Sequence, residues 1–280
     1  MKICRGVIAL QEFLTSLSTD ELIGFVPTMG ALHQGHLSLV KAAKSDCQHV
    51  IVSIFVNPTQ FDNPADLLAY PKDTDADLQK LQDEGVSAVF LPEVKDLYPQ
   101  ETSSDQYDLA ILEQRMEGSF RPGHFQGVAT VVHRLFALVN PDKAYFGEKD
   151  YQQVAVIRRL VDLKSIPVEI IACENIREDD GLAMSSRNRK LNSAERNAAT
   201  LLIRSMRKVR SEKSSWTIAQ AKKYVEECFE KDPIMQLEYF EIADENSLEA
   251  LEKWQDSEHP RAFIAAYAGK TRLIDNLSLR

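Results

Sequence analysis

The stretch PTMGALHQGH, Pro27–His36, decides the fold because it joins a predicted buried strand to a predicted helix. The apolar run Leu22–Val26 precedes it, and His36–Ser45 follows it with apolar residues at helical spacing. A strand, turn and helix in this order leave backbone amides at the helix start that can hold phosphate oxygens. Gly30 and Gly35 let the backbone approach a nucleotide closely. The stretch therefore predicts a phosphate site at the end of a strand.

The same alternation of strand and helix continues along the chain. Further buried strands are predicted at Val50–Val56, Ala88–Leu91, Ala144–Phe146 and Val168–Ala172. Further helices are predicted at Thr74–Glu84, Val128–Val139 and Tyr151–Leu163. Alternating strands and helices are typical of an α/β fold with a doubly wound parallel sheet. We assign this domain to residues 1–173.

The pattern changes after Ala172. A polar, charged segment over Glu174–Lys190 leads to two predicted helices, a charged helix and three short strands. The helices are Ser193–Arg210, Thr217–Glu230 and Ser247–Trp254, and the strands are Leu237–Ala243, Ala262–Tyr267 and Thr271–Asp275. This order predicts a smaller C-terminal α+β domain at residues 174–280.

Composition excludes several classes of protein. The chain has 280 residues, 44% of them hydrophobic, so it can build a packed core without disulfide bonds or bound metals. Its formal charge of −9 disfavours nucleic-acid binding. The four cysteines form no CxxC pair, which argues against a disulfide framework or a zinc site. No signal peptide or membrane span is predicted, so we expect a cytoplasmic protein with reduced thiols.

His33 and His36 are the first candidate catalytic residues. An imidazole can donate to oxygens that gain charge during adenylyl transfer. The alternative is that two histidines at a helix start are capping or surface groups. The preceding strand and the two glycines favour the phosphate role.

Gln60 lies in the segment FVNPTQF, Phe55–Phe61, at the end of the second strand of the alternation. Open α/β sheets bind their ligands at these strand ends. A side-chain amide can bond a hydroxyl or a carboxylate without adding charge, so Gln60 is a candidate for a hydroxy acid. A simple Asn-Pro turn explains the segment equally well.

The segment FGEKDYQQ, Phe146–Gln153, repeats the strand-to-helix arrangement. Gly147 gives access to the backbone, and Lys149 can neutralise triphosphate charge. Asp150 sits where a helix cap or a ribose partner would lie, and Gln153 comes one turn later. Taken alone, Glu-Lys-Asp is more often a solvated helix start.

The polar segment Ile176–Asn188 has no apolar period and predicts a mobile loop. Ser185, Ser186 and Arg187 are residue types that bind phosphate. Such a loop between domains could close over ATP and exclude water from a reactive intermediate. The alternative is an ordinary linker before the next helix.

Two further polar segments have weaker patterns. Arg121 or His124, in a turn-rich segment, could reach an anionic substrate or serve the turn alone. Asp73, Asp75 and Asp77 form an acidic first turn that normally complements the helix dipole. Asp77 could instead help hold Mg²⁺ with the phosphates of ATP.

Five segments together resemble the pantothenate synthetase family of the nucleotidyltransferase superfamily, which is related to class I aminoacyl-tRNA synthetases. They are PTMGALHxGH, FVNPxQF, RPGHFxGV, FGEKDxQQ and DGLAMSSRN. Their order and spacing match from about residue 23 to the C-terminal segment Leu273–Asn276. The resemblance thus covers nearly the whole chain.

The resemblance implies a Rossmann-like N-terminal domain, a smaller C-terminal lid and a homodimer. It implies an ATP-dependent ligase that joins pantoate to β-alanine through pantoyl adenylate, with Mg²⁺, releasing AMP and pyrophosphate. The implied catalytic residues are His33, His36 and Lys149. The implied ATP-binding residues are Met29, Gly30, Ala31, Leu32, His33, Gln34, Gly35, His36, Gly147, Glu148, Lys149, Asp150, Ile176, Met184, Ser185, Ser186 and Arg187. Gln60 and Gln153 are implied to bind pantoate, with Gln60 also beside β-alanine, and Ala76 interrupts the family's metal-binding acids near Asp77.

Two other functions remain open. One is a different adenylyl- or cytidylyltransferase that uses the same HxGH site, against which Gln60 and its loop argue. The other is a catalytically silent ATP-binding sensor that releases no pyrophosphate. A tRNA synthetase is disfavoured because the chain is short, acidic and without a basic anticodon-binding unit.

Overall fold

The structure, a computed structural model, describes residues 1–61 and 67–280. The chain divides into two compact units, each with its own hydrophobic core. The first unit consists of Met1–Glu148 and Gln152–Glu174, and the second of Lys149–Tyr151 and Asn175–Arg280. Within these residues no helix has the length and apolar character that crossing a membrane requires.

The first unit contains a six-stranded parallel sheet. Its strands are β1 Lys2–Arg5, β2 Ile23–Thr28, β3 His49–Ile54, β4 Ala88–Leu91, β5 Lys143–Gly147 and β6 Glu169–Cys173. Its helices are α1 Val7–Thr15, α2 Gln34–Asp46, α3 Thr74–Asp83, α4 Val94–Leu97, α5 Met116–Phe120, α6 His124–Val139 and α7 Tyr151–Lys164. The strands lie in the order β1-β4-β3-β2-β5-β6. This order confirms the predicted doubly wound sheet.

Both faces of this sheet are covered by apolar side chains. Phe25 and Val26 are consecutive in β2 and both fully buried, yet they belong to different clusters. Side chains alternate across a strand, so a strand buried on both faces is apolar at every position. Leu135 of α6 packs with the cluster of Phe25, and Val40 of α2 with that of Val26. This is why the strands appear in the sequence as continuous apolar runs.

The second unit is built on a three-stranded antiparallel sheet. Its strands are β7 Met235–Asp244, β8 Pro260–Ala268 and β9 Thr271–Ser278, with β8 in the centre. Its helices are α8 Ser193–Ala198, α9 Leu201–Glu212 and α10 Ile218–Glu230. Met206 of α9, Val225 of α10 and Ile264 of β8 share one buried cluster. The α+β fold predicted for this region is confirmed.

Two elements at the start of the chain were not predicted. Strand β1 is a short edge strand with the sequence KICR, in which only Cys4 is buried. Its basic residues hide the apolar signal by which buried strands are recognised. The N-cap residue of helix α1 is Gly6, which has no side chain to cap the helix. The Ser, Thr, Asp or Asn that usually marks a helix start is therefore missing.

The predicted helix Ser247–Trp254 is wrong. The carboxylate of Asp244 accepts hydrogen bonds from the backbone N–H groups of Asn246 and Ser247, which turns the chain. Leu251 N–H then donates to Ile242 O at 2.9 Å, so the segment folds back along β7. A side chain that bonds its own backbone competes with helix formation. The predicted helix Ser193–Arg210 is divided into α8 and α9.

All four cysteines are free thiols, as predicted. Cys4 and Cys47 are buried, and Cys173 is partly buried. Burial is the largest influence on all three, and it raises the pKa of each thiol. A thiol whose pKa is raised is a poor nucleophile, so these three residues are structural.

Candidate active site

The candidate residues of the first unit gather at the point where the strand order reverses. From β2 the chain continues outward to β3 and β4 on one side, whereas β5 and β6 occupy the other. The ladder between β2 and β5 ends at the pair Phe25–Ala144, whereas β2 pairs with β3 as far as Thr28. Pro27 has no N–H with which to extend a ladder. The carboxyl ends of β2 and β5 therefore form the crevice in which such sheets bind ligands.

The turn after β2 is held from below by helix α3. Leu32 N–H donates to Asp77 Oδ1 at 2.8 Å, and Lys80 Nζ donates to Leu32 O at 2.8 Å. Gly30 has a φ of 81°, and a Cβ there would lie 3.0 Å from Ile54 Cγ2. Both backbone groups of Leu32 are thus fixed, and glycine is required where the turn approaches the sheet.

His33 and His36 both cap helix α2. His33 is the N-cap residue, and its Nδ1 accepts from the Gly35 N–H at 3.2 Å. Nδ1 of His36 accepts from the His33 N–H at 3.4 Å, and the two ring centroids are 4.0 Å apart. A neutral ring whose Nδ1 accepts a hydrogen bond carries its proton on Nε2. Capping therefore fixes the tautomer that carries its proton on Nε2, the nitrogen that the caps do not use.

Gln60 is held by a buried asparagine in its own segment. Asn57 is 1% exposed, and its Nδ2 donates to Gln60 Oε1 at 3.4 Å and to Gly127 O at 3.1 Å. Asn57 Oδ1 accepts from Tyr98 OH at 2.6 Å. The amide nitrogen of Gln60 has no hydrogen-bond partner in residues 1–61 and 67–280. Asn57, treated as a turn residue in the sequence, thus orients the amide of Gln60.

The RPGH segment supports Gln60 from the other side. His124 Nδ1 lies 2.7 Å from Gln60 O and must donate to that carbonyl, and Arg121 Nη1 is 3.1 Å from His124 Nε2. At Gly127, a Cβ would lie 2.3 Å from Thr59 O. Of the two interpretations of Arg121 and His124, the structure favours support of the turn, because His124 is buried against it.

Two neighbouring glutamines at the start of helix α7 have different surroundings. Gln152 is buried; its Nε2 donates to Leu112 O and its Oε1 accepts from Glu117 N–H. Gln153 is partly buried, and its side chain makes no hydrogen bond to any residue that the structure describes. Gln152 therefore has a structural role, and Gln153 keeps an amide available for a ligand.

Gly147 ends β5 in open space. A Cβ at this position would meet no atom within 4 Å among the described residues. Glu148, Lys149 and Asp150 form one turn of 3-10 helix before α7, and Lys149 Nζ donates to Asp150 Oδ1 at 3.3 Å. None of the described residues would contact a side chain at residue 147, so close approach of a ligand remains a prediction for this glycine.

In the second unit, residues 176–184, part of the predicted mobile loop, form a hairpin closed by backbone hydrogen bonds. Glu178 N–H donates to Leu182 O at 2.9 Å, and Met184 N–H donates to Ile176 O at 3.0 Å. The second of these bonds brings together two candidate ATP-binding residues. The hairpin continues into a 3-10 helix at Ser186–Lys190, capped by Ser185 Oγ, which accepts from Arg187 N–H.

A buried carboxylate anchors this hairpin. Asp275 is 3% exposed, and Arg177 binds it with both Nη atoms, at 2.6 Å and 3.0 Å. Burial raises the pKa of Asp275, and Arg177 acts in the opposite direction. Arg177 also donates to Gly181 O at 3.0 Å, across the hairpin turn. Neither Arg177 nor Asp275 carried a sequence signal of its own, because their pairing joins distant positions.

Asp77, the candidate metal ligand, is 1% exposed beneath the Gly30 turn. Its Oδ2 is buried and has no hydrogen-bond partner among the residues that the structure describes. Within the same residues there is no cluster of three or more histidine, cysteine, aspartate or glutamate side chains that could hold a metal. The unpartnered atom is a carboxylate oxygen, the type of ligand that Mg²⁺ takes from proteins beside substrate phosphates.

Comparison with known proteins decides the family. The sequence profile of the family Pantoate-beta-alanine ligase matches residues 2–278. The chain belongs to this family. The predicted resemblance is thereby confirmed, as is the prediction that the chain is an enzyme, a ligase of pantothenate biosynthesis.

Relatives in the pantoate–β-alanine ligase family agree along the whole chain. A pantothenate synthetase of Porphyromonas gingivalis is 47% identical over 278 residues, which are 99% of each chain. A crystal structure of pantothenate synthetase from Thermus thermophilus is 40% identical, with a TM-score of 0.92 and coverage of 100% of this chain and 99% of that one. A pantoate–β-alanine ligase structure from Francisella tularensis is 38% identical, with a TM-score of 0.84 and coverage of 100% and 98%.

Proposed function

We propose that this chain condenses pantoate with β-alanine in an ATP-dependent reaction that passes through pantoyl adenylate. The related structure from Francisella tularensis is described as a complex with β,γ-ATP and β-alanine. The observation that carries the proposal is the histidine pair of helix α2. Nδ1 of each ring accepts a backbone N–H, so the neutral ring carries its proton on Nε2, and we propose that Nε2 donates to the phosphate oxygens.

In the first step, a pantoate carboxylate oxygen attacks the α-phosphorus of ATP, and the bond from that phosphorus to the bridging oxygen breaks. Pyrophosphate leaves with the electron pair. We propose that His33, His36 and Lys149 donate to the phosphate oxygens that gain charge. Ser186 and Arg187 act on the same phosphates, and the remaining candidates from Met29 to Gly35, Gly147 to Asp150 and Ile176 to Ser185 line the nucleotide.

In the second step, the free amine of β-alanine attacks the activated carbonyl carbon, the bond to the AMP oxygen breaks, and AMP leaves. The amine proton passes to water. Gln60 and Gln153 orient pantoate through their side-chain amides, which suit a hydroxy acid because they can donate and accept. Burial raises the pKa of the Cys4, Cys47 and Cys173 thiols, which makes them poor nucleophiles, and we propose that the substrate carboxylate is the attacking group in the first step. Positioning and electrostatics supply the rate gain.

Magnesium would supply charge neutralisation on the phosphates. We propose that the unpartnered Oδ2 of Asp77, beside the Gly30 turn, would help to hold this ion. We further propose that residues 174–280 serve as a lid, that the chain forms a homodimer and that it works in the cytoplasm.

The test is release of pyrophosphate and AMP by purified protein given Mg-ATP and pantoate, with and without β-alanine. We expect a single turnover of pyrophosphate with pantoate alone and continuous release of AMP only when β-alanine is present. Absence of pyrophosphate under both conditions, with ATP still bound, would leave a nucleotide sensor. A product that retains the nucleotide monophosphate would instead identify another nucleotidyltransferase.

A further inference from the structure

The dipeptide Asp275–Asn276 near the end of β9 is buried but has no part in the proposed chemistry. Both residues are polar, and each is 3% exposed. Buried polar side chains are retained only where their hydrogen bonds are made, and here the partners lie in segments far away in the sequence. All of these partners belong to the second unit.

Asp275 holds the hairpin that carries the candidate nucleotide-binding residues. Besides the two-fold bond from Arg177, Asp275 Oδ1 accepts from Asn175 Nδ2 at 3.1 Å. Arg177 Nη2 donates in addition to Asn276 O at 3.0 Å. The planar guanidinium of Arg177 therefore fixes the start of the hairpin to β9. A lysine could not form these paired hydrogen bonds.

Asn276 holds the backbone of Lys149. Its Nδ2 donates to Lys149 O at 3.0 Å, and its Oδ1 accepts from Arg261 Nη1 at 2.7 Å. The guanidinium of Arg261 also lies over the ring of Tyr151, 4.1 Å from its centroid. The segment Lys149–Tyr151 is thus fixed to β8 and β9 at two adjacent residues.

Successive side chains of a strand point to opposite faces, so one dipeptide can serve two segments. We propose that Asp275 and Asn276 are positioning residues for nucleotide binding: Asn276 sets the place of Lys149, and Asp275 sets the place of the hairpin that leads to Ser185–Arg187. The proposal rests on the proposed function only in taking ATP as the nucleotide that is bound. The hydrogen bonds themselves require two acceptor oxygens at residue 275, and one donor and one acceptor at residue 276.

The first test is Asn276→Asp. This variant keeps the shape of the side chain and an oxygen for Arg261, but it places a second oxygen against Lys149 O. Arg261 can neutralise the added charge, so we expect a folded protein. We expect Mg-ATP to bind about tenfold more weakly by calorimetry and kcat for pyrophosphate release to fall on the order of 100-fold. The KM for β-alanine, and its reaction with supplied pantoyl adenylate, stay unchanged.

The matched control is Glu238→Gln. Glu238 of β7 forms an ion pair with Arg272 of β9, the strand that contains Asn276. Arg272 Nε lies 3.0 Å from Glu238 Oε2, and both side chains are mostly buried. The variant removes a comparable interaction from the same sheet without contact to Lys149 or the hairpin. We expect a change in thermal stability similar to that of Asn276→Asp and unchanged Mg-ATP binding.

Asp275→Asn tests the other half of the dipeptide. It leaves Arg177 without its carboxylate, so we expect weaker Mg-ATP binding while pantoate KM is retained. Arg177→Lys should cause the same defect, and the double variant should be no worse than the more defective single one.

The outcomes separate the two proposals. If Asn276→Asp and Asp275→Asn bind Mg-ATP as tightly as the Glu238→Gln control, the positioning proposal is overturned, whatever reaction the wild type catalyses. If the wild type binds Mg-ATP but releases no pyrophosphate with pantoate, the proposed function fails, and the ratio of ATP affinities still decides the role of Asp275 and Asn276.

Discussion

The backbone N–H of His33 donates to Nδ1 of His36 over 3.4 Å, so the second histidine of the pair fixes the residue that caps its own helix. The pair is a capping box in which both side chains are imidazoles. In the usual form of this arrangement the side chains are hydroxyls and carboxylates or amides. An imidazole adds a second nitrogen on the far side of the ring, and this is the atom that we propose donates to phosphate.

Replacement of His33 separates capping from phosphate binding. Asparagine is among the best N-cap residues but has no donor at the distance of Nε2. We expect His33→Asn to unfold within about 0.5 kcal/mol of wild type and to lose kcat on the order of 100-fold. His33→Ala should lose the same activity and about 1 kcal/mol of stability. Denaturant unfolding and pyrophosphate release measure the two effects; wild-type activity in His33→Asn would exclude a phosphate role.

Gly127→Ala tests the support beneath Gln60. The added Cβ would lie 2.3 Å from the carbonyl oxygen of Thr59, so the turn must move. We expect a loss of about 1–3 kcal/mol in the unfolding free energy. We also expect a raised KM for pantoate with little change in the KM for ATP. Equal increases in both constants would show that the turn does not act through Gln60.

Gly147→Ala is the contrasting glycine. Its Cβ would point into space that the described residues leave open, so the unfolding midpoint should stay within about 2 °C of wild type, the shift that a few tenths of a kcal/mol produces. If ATP approaches the backbone here, the KM for ATP should rise about tenfold. Thermal unfolding and ATP titration decide the matter, and an unchanged KM would remove Gly147 from the nucleotide site.

Asp77 variants distinguish a metal ligand from a support of the turn. Asp77→Ala leaves the buried N–H of Leu32 without its acceptor, which costs about 1–3 kcal/mol. Asp77→Asn keeps an acceptor for that N–H but cannot bind a cation as a carboxylate does. If Asp77 serves magnesium, Asp77→Asn should need a higher Mg²⁺ concentration for half-maximal activity. If the Mg²⁺ titration is unchanged in Asp77→Asn, the side chain only supports the turn.

His133 gives the fold a dependence on pH. Nδ1 of His133 lies 3.0 Å from Tyr107 OH, and desolvation, followed by the charge of Lys164, lowers the pKa of the ring below 6.5. Between the lowered pKa and 6.5 the unfolded chain binds more protons than the folded one. Stability should therefore fall as pH decreases below about 6.5 and level off beneath the folded pKa. His133→Gln, which cannot titrate, should flatten the profile of unfolding free energy between pH 7 and 5.

Much of the fold follows from local patterns. Strands β2 to β5 contain runs of buried residues because both faces of the sheet are covered there, and Gly30 marks the tight turn after β2. Strand β1 escaped notice because it is short, basic and at an edge, where only Cys4 is buried. The helix predicted at Ser247–Trp254 failed because Asp244 bonds its neighbours' backbone and turns the chain.

The candidate site shows the same division. His33, Gln60 and Lys149 could be singled out because each follows a strand and has a side chain suited to its proposed ligand. Their distant supports could not, because these contacts join positions far apart in the sequence. Asp77 reaches Leu32 and His124 reaches Gln60 only after folding. A local pattern contains the candidate reactive groups, whereas most of the residues that support them are defined by topology.

The assignment of Lys149–Tyr151 to the second unit has a practical consequence for dissecting the protein. Neither unit is one continuous piece of chain, because these three residues interrupt the first unit and pack with Asn276, Arg261 and Phe263. A gene fragment that ends near residue 174 would encode them without their partners. Cutting the chain at a single peptide bond therefore cannot yield two self-contained halves, and chimeras with relatives must exchange both segments together.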